Sequence, residues 1–148
     1  MLSAEELKRY SRQLIVTGWG IKEQLILKQL RVAIPSSLPS AALYLSAAGV
    51  SEIILYGTDP QSENDLGQNF KEHLKAFNPF TVVTEIGALG PNDKKSVDIL
   101  IVDNYANNSP APGNISYNQH INVPTLSNHL LTGALAANTI LHWCKNPV

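Results

Sequence analysis

Arg9 and Arg12 stand three residues apart in RYSRQ, a spacing that puts both guanidinium groups on neighbouring positions of one helical face. From there they could neutralise phosphate charge, or simply remain solvated or pair with Glu5 and Glu6. On the residues alone the second reading is the simpler. Cys144 is the single cysteine; it falls near the end of a helical stretch with no basic partner beside it, so it reads as a small, semi-buried side chain and not as a nucleophile. His73, His120, His129 and His142 are scattered without an HxxxH spacing or an acidic cluster, and no metal site is expected of them. Asp103 follows an apolar run, where a carboxylate could cap the strand end. Trp19 and Trp143 read as packing or interface anchors.

The elements that must position these residues can be read in order. Ser3 and Glu6 have the spacing of a capping box, which predicts a first helix through RYSRQL. After Gly18-Trp19-Gly20, the stretch 21–30 has the period of a second amphipathic helix. RVAI at 31–34 predicts a buried strand, PSSLPS a turn, and 41–49 a helix closed by Gly49. A strand at 51–57, a polar turn with Pro60, a helix at 70–77 ended by Asn78-Pro79, and a strand from Thr81 follow. GPNDKK reads as a loop, 97–104 as a central strand buried on both faces, 105–119 as an irregular surface excursion, and INVP as a last strand. A closing helix from Leu130 carries the small residues Gly133, Ala134, Ala136 and Ala137. This alternation predicts an α/β fold: one domain over 1–148, with a two-helix arm at 1–30 and a doubly wound, mainly parallel Rossmann-like sheet in the core at 31–148.

The 148 residues carry 11 Lys plus Arg against 12 Asp plus Glu, which leaves no basic field for nucleic acid or an anionic membrane. One cysteine permits no internal disulfide and suits a reducing compartment, and no apolar run approaches the ~20 residues of a membrane span. A cytoplasmic, also nuclear, location is the expectation.

The ordered set RYSRQ, a Gly and Gln before the second helix, the RV strand start, YLSAAGV and an aspartate after the second strand resembles the N-terminal part of the ThiF/MoeB and ubiquitin-like-protein activating enzymes. Asn78-Pro79, Asp103-Asn104 and Gly133-Ala134-Leu135-Ala136 extend the resemblance over nearly the whole chain. It implies adenylation of the C-terminal glycine of a ubiquitin-like or sulfur-carrier protein with ATP and Mg²⁺. A glycine-rich turn would approach the phosphates, an acidic residue would hold the ribose, and arginine and lysine would neutralise charge.

The departures fall on that machinery. The glycine-rich loop is replaced by PSSLPS, in which Pro35 and Pro39 remove amide donors and Ser36 and Ser37 carry β-carbons where glycine would permit close approach. Gly57 stands for the first expected acidic residue, leaving Asp59; Gln68 stands for the expected arginine; and Lys71 matches the family's lysine only across a shortened loop. Asp103 is the matching magnesium ligand without its companions. What survives is Arg12, whose family counterpart acts in trans at the other subunit's ATP site, with Arg9 beside it. The resemblance therefore implies a pseudoenzyme like the regulatory subunits of SUMO- and NEDD8-activating heterodimers, to which 65–70 (DLGQNF) is also similar. Such a chain binds no cofactor of its own, serves ATP and Mg²⁺ in a partner's site, pairs with an active homologue or with itself, and meets the ubiquitin-like protein indirectly. The helices at 21–30 and 131–144 are interface or core. A minimal ThiF/MoeB-like adenylyltransferase and a homodimeric scaffold that touches no nucleotide are the alternatives.

Overall fold

The computed structural model describes residues 1–57, 70–103, 120–123, 137–142 and 144. Helix α1, Ala4–Leu14, starts where the Ser3 hydroxyl accepts from the Glu6 amide at 3.2 Å and the Glu6 carboxylate accepts from the Ser3 amide at 2.7 Å. Helix α2, Ile21–Leu27, opens where the Gly20 amide donates to the Glu23 carboxylate at 2.8 Å. It ends three residues before the expected Leu30. There the amides of Gln29 and Leu30 bond the carbonyls of Ile26 and Leu27 in a tighter turn that delivers Leu30, buried, to the sheet.

The remaining elements are β1 (Arg31–Pro35), α3 (Pro39–Ala48), β2 (Glu52–Tyr56), α4 (Phe70–Phe77), β3 (Val82–Ile86), α5 (Pro91–Ser96), β4 (Ile99–Asp103) and β5 (His120–Val123). The five strands form one sheet in the order β3-β2-β1-β4-β5, and every neighbouring pair is parallel. This is the parallel α/β sheet expected, with β1 and β4 central.

Other boundaries also differ from expectation: β2 is shorter than the stretch 51–57, and β4 starts at Ile99 instead of Val97. Pro35 belongs to β1, because as the last residue of the strand it still pairs with Tyr56. The turn is correspondingly short, and α3 begins at Pro39, a residue whose fixed φ suits a first helical position. The stretch read as a loop at GPNDKK forms α5, with Pro91 at its first position and the Asp93 carboxylate accepting from the Gly90 amide at 2.9 Å.

Alternation along the strands gives the sheet two different faces. Val32, Ile34, Ile53, Leu55, Ile99 and Ile101 point to the face covered by α2, α3 and α4, where Leu27, Leu38, Leu45 and Leu74 are fully buried. Ala137, Ile140 and Cys144 close that same core, so this part of the chain's last helical stretch is core and not a free interface. The opposite face carries a smaller cluster of Ala33, Ile54, Val97 and Leu100, against which Tyr56, Ile86 and Leu89 pack. At the strands' N-terminal end Arg31 ties β1 to β2 and to the segment from the end of α5 to β4: its amide donates to Asp98 at 2.8 Å, its guanidinium to Glu52 at 2.6 Å and to the Ser96 carbonyl at 2.7 Å. No helix among the described residues is long and apolar enough to cross a membrane.

Candidate functional site

In an open parallel sheet the ligand crevice lies outside the C-terminal ends of the strands, where the chain order reverses; here that point is between β1 and β4. Its rim is built by the turn after β1. The Ser36 amide donates to the Tyr56 carbonyl at 2.8 Å, and the Ser36 hydroxyl donates to the Gly57 carbonyl at 3.0 Å. The turn is thus latched onto the end of β2, the place from which a ribose-binding carboxylate would rise. Gly57 is exposed with φ +75°, and its amide donates to the Gly87 carbonyl beyond β3 at 3.0 Å.

A helix N-terminus binds phosphate through free amides aimed at the ligand. Helix α3 offers few. The Leu38 amide is spent on the Pro35 carbonyl at 2.9 Å, Pro39 has none, and the residue at the cap is Leu38, fully buried, with no side-chain cap. Pro35 is buried, Ser36 half-buried and Ser37 exposed. Lys71 lies on the first turn of α4, half-buried. Asp103 is the last residue of β4, paired with Val123 of β5. Asp59 and Gln68 lie outside the described residues. Among the described residues no group of three His, Cys, Asp or Glu stands close enough to hold a metal ion.

The arm is docked at the other end of the sheet. Tyr10 is buried, and its hydroxyl accepts from Asn78 Nδ2 at 3.0 Å; the same amide group donates to the Ser46 carbonyl at 2.5 Å, while Asn78 Oδ1 accepts from the Phe80 amide. Gln24, fully buried, donates to the Ala48 carbonyl at 2.7 Å and accepts from the Trp19 indole at 3.2 Å, and Gln13 donates to the Ala47 carbonyl. All of these partners cluster where α3 and α4 end, before β2 and β3 begin. Gly49 makes the close approach possible: with φ +101°, a β-carbon there would sit 2.6 Å from Gln24 Nε2 and 2.8 Å from the Tyr10 ring.

The two arginines of RYSRQ separate. Arg9 donates to the Phe77 carbonyl at the end of α4 and lies 5.8 Å from the Phe77 ring centre, a structural engagement within the chain. Neither arginine pairs with Glu6, because Lys28 takes that carboxylate at 2.7 Å. Arg12 is exposed, and no hydrogen bond or ion pair reaches it from the described residues. Since α3 has 10 residues, about 15 Å of helix separate the arm's docking site from the crevice rim.

Sequence reading missed Asn78, Gln24 and Tyr56 as organising residues. Asn78 occurs in the Asn78-Pro79 motif, whose part here is to hold the arm. A cavity of about 510 Å³ also lies between the arm, α3 and the last helical residues, lined by Trp19, Tyr44, Leu141 and His142 among others. Cys144 is fully buried, and burial pushes its thiol up to about 12, the state of a packed and unreactive sulfur.

The strand order, the all-parallel pairing and the helices between strands define a Rossmann-like α/β domain. No family model matches the chain. It is 37% identical over 113 residues to the adenylyltransferase and sulfurtransferase Uba4 of Neosartorya fischeri, covering 68% of this chain and 23% of that protein. Over 89 residues it is 37% identical to Uba4 of Aspergillus clavatus, covering 57% and 18%. The chain therefore spans about a fifth of the length of these relatives. Among solved structures, Escherichia coli MccB with ATP has a TM-score of 0.52 at 25% identity, covering 68% of this chain and 38% of that one. The E. coli tRNA N6-threonylcarbamoyladenosine dehydratase TcdA has a TM-score of 0.52 at 14% identity over 68% and 52%, a likeness of fold alone. The Uba4 and MccB similarities place the chain in the ThiF/MoeB/E1-like superfamily.

Proposed function

We propose that this domain serves the activation of a sulfur-carrier or ubiquitin-like protein, as the non-adenylating half of a pair. The Uba4 similarity favours the sulfur-carrier type of system over the SUMO and NEDD8 branch as its setting. The observation that carries the non-adenylating role is the opposition of two ends. The crevice rim is latched by Ser36 and offers few amides, while Arg12, exposed and without a partner among the described residues, stands on an arm fixed at the far end of the sheet. Arg12 cannot reach this chain's own crevice across the length of α3, so its charge is available to a neighbour. In a partner's ATP site the guanidinium would neutralise phosphate charge as the carrier's carboxylate attacks the α-phosphorus, taking the adenylyl group while pyrophosphate leaves.

The second reading, an autonomous adenylyltransferase, is favoured by kinship with the Uba4 proteins, whose name states that activity. A calorimetric titration with ATP and Mg²⁺, run beside a mass measurement by light scattering, separates the two. Absence of saturable binding is the expected result, with partner-dependent adenylation lost in Arg12→Ala. Micromolar binding, about −8 kcal/mol, by the isolated chain would establish the second reading instead. A stable self-dimer without binding, and with no effect of Arg12→Ala on any partner, would point to a scaffold.

A further inference from the structure

The ladder between β1 and β4 stops early. It pairs Val32 with Ile99 and Ala33 with Leu100 and then ends, although β1 continues to pair with β2 as far as Pro35 and Tyr56, and β4 with β5 as far as Asp103 and Val123. Along a parallel strand, successive backbone groups alternate between the two neighbours. The alternation that joins Ala33 to β4 makes residue 35 the next amide facing that strand, and the carbonyl it would reach is that of Ile101. Proline has no amide to give. Ile101 is fully buried, so its carbonyl would otherwise lack its donor where water does not reach it.

The donor comes from a third strand. Tyr56, the residue paired with Pro35, donates its hydroxyl to the Ile101 carbonyl at 2.5 Å, which carries the phenol across β1 from β2 to β4. We infer that Pro35 and Tyr56 form one device that seals the crevice between β1 and β4: the proline opens the ladder, and the tyrosine hydroxyl stands in for the missing amide and draws its ring across the opening. The device lies at the point where an open α/β sheet ordinarily receives a ligand, and it holds whether or not the domain has an adenylating partner.

A double-mutant cycle on the full chain tests the coupling. Tyr56→Phe should raise the unfolding equilibrium constant about tenfold, the consequence of orphaning a buried carbonyl. In a Pro35→Ala background, where the amide is restored, the same change should raise it by less than about threefold. Hydrogen exchange gives a residue-by-residue reading, in which the amides at 101–103 are compared with those of other core strands. Tyr56→Phe should speed exchange of the amides at 101–103, and Pro35→Ala, or Pro35→Val should the alanine variant fold poorly, should gain a protected amide at 35 and return the amides at 101–103 toward their original rates in the double variant. Equal losses in both backgrounds, or an amide at 35 exchanging at the rate of an exposed group, would overturn the inference.

Discussion

Arg9 and Arg12 leave the same helix one turn apart and face different surroundings, which makes them a matched pair for experiment. Arg9→Ala removes the donor to the Phe77 carbonyl and the contact with its ring, and should lower stability by about 1 kcal/mol in urea denaturation. Arg12→Ala should leave stability within about 0.5 kcal/mol, yet reduce a partner's adenylation turnover by a hundredfold or more in a reconstituted assay. Cys144 supplies a different test. With its thiol pushed up to about 12 and no exposure, it should react with a thiol reagent only as fast as the chain opens, so the labelling rate should rise with urea in step with unfolding. At this scale the sequence shows which residues are present and not whom they meet. The i to i+3 spacing placed Arg9 near Glu6, and nothing local foretold that Lys28 would claim that carboxylate from the next helix.

The arm is an element held by polar contacts inside an apolar setting, and its stability should respond to single atoms. Gly49→Ala forces a β-carbon into Gln24 and Tyr10 at a left-handed φ, and should cost more than about 2 kcal/mol while exposing the arm to trypsin at Arg12 and Lys22. The arm should also be sensitive to acid. Burial pushes the Glu6 carboxyl up, but hydrogen bonds from Lys28 and Ser3 outweigh it and hold the group below its ordinary 4.5. A carboxyl lowered in the folded state contributes stability that is complete above its unfolded pKa and is lost as pH falls through the folded one. The stability gap between the native chain and Glu6→Gln should therefore narrow on acidification from about pH 7 to about pH 3, as followed by urea midpoints. The capping box that starts this helix was legible, because it needs only residues three apart. The polar α5 was not: Gly90-Pro91-Asn92-Asp93 has the composition of a loop, and only the pairing of a first-position proline with a carboxylate two residues later marks it as a helix start.

For the molecule as a whole, parallel order and central strands could be read from apolar runs, since a strand buried on both faces leaves a compositional trace. The closure of the crevice could not, because it depends on which carbonyl lacks a donor across three strands. The functional outcome can be read by thermal denaturation. A ligand present at 100 times its Kd adds about 2.7 kcal/mol to stability, enough to raise the melting temperature of a domain this size by several degrees. Millimolar ATP with Mg²⁺ should leave this chain's melting temperature unmoved, whereas a partner competent to adenylate should shift upward under the same conditions.

Tyr10 meets Asn78 across 68 residues of chain. During synthesis the Tyr10 hydroxyl must therefore wait for its donor to be made, on the order of 3 to 14 s at ordinary elongation rates. Until then the helix has its partners at Lys28, Ala47 and Gly49 but not the one that fixes Tyr10 from the end of α4. The helix near the start of the polypeptide is thus among the last to find its place, and mutations at Tyr10 should speed unfolding while leaving the folding rate nearly unchanged.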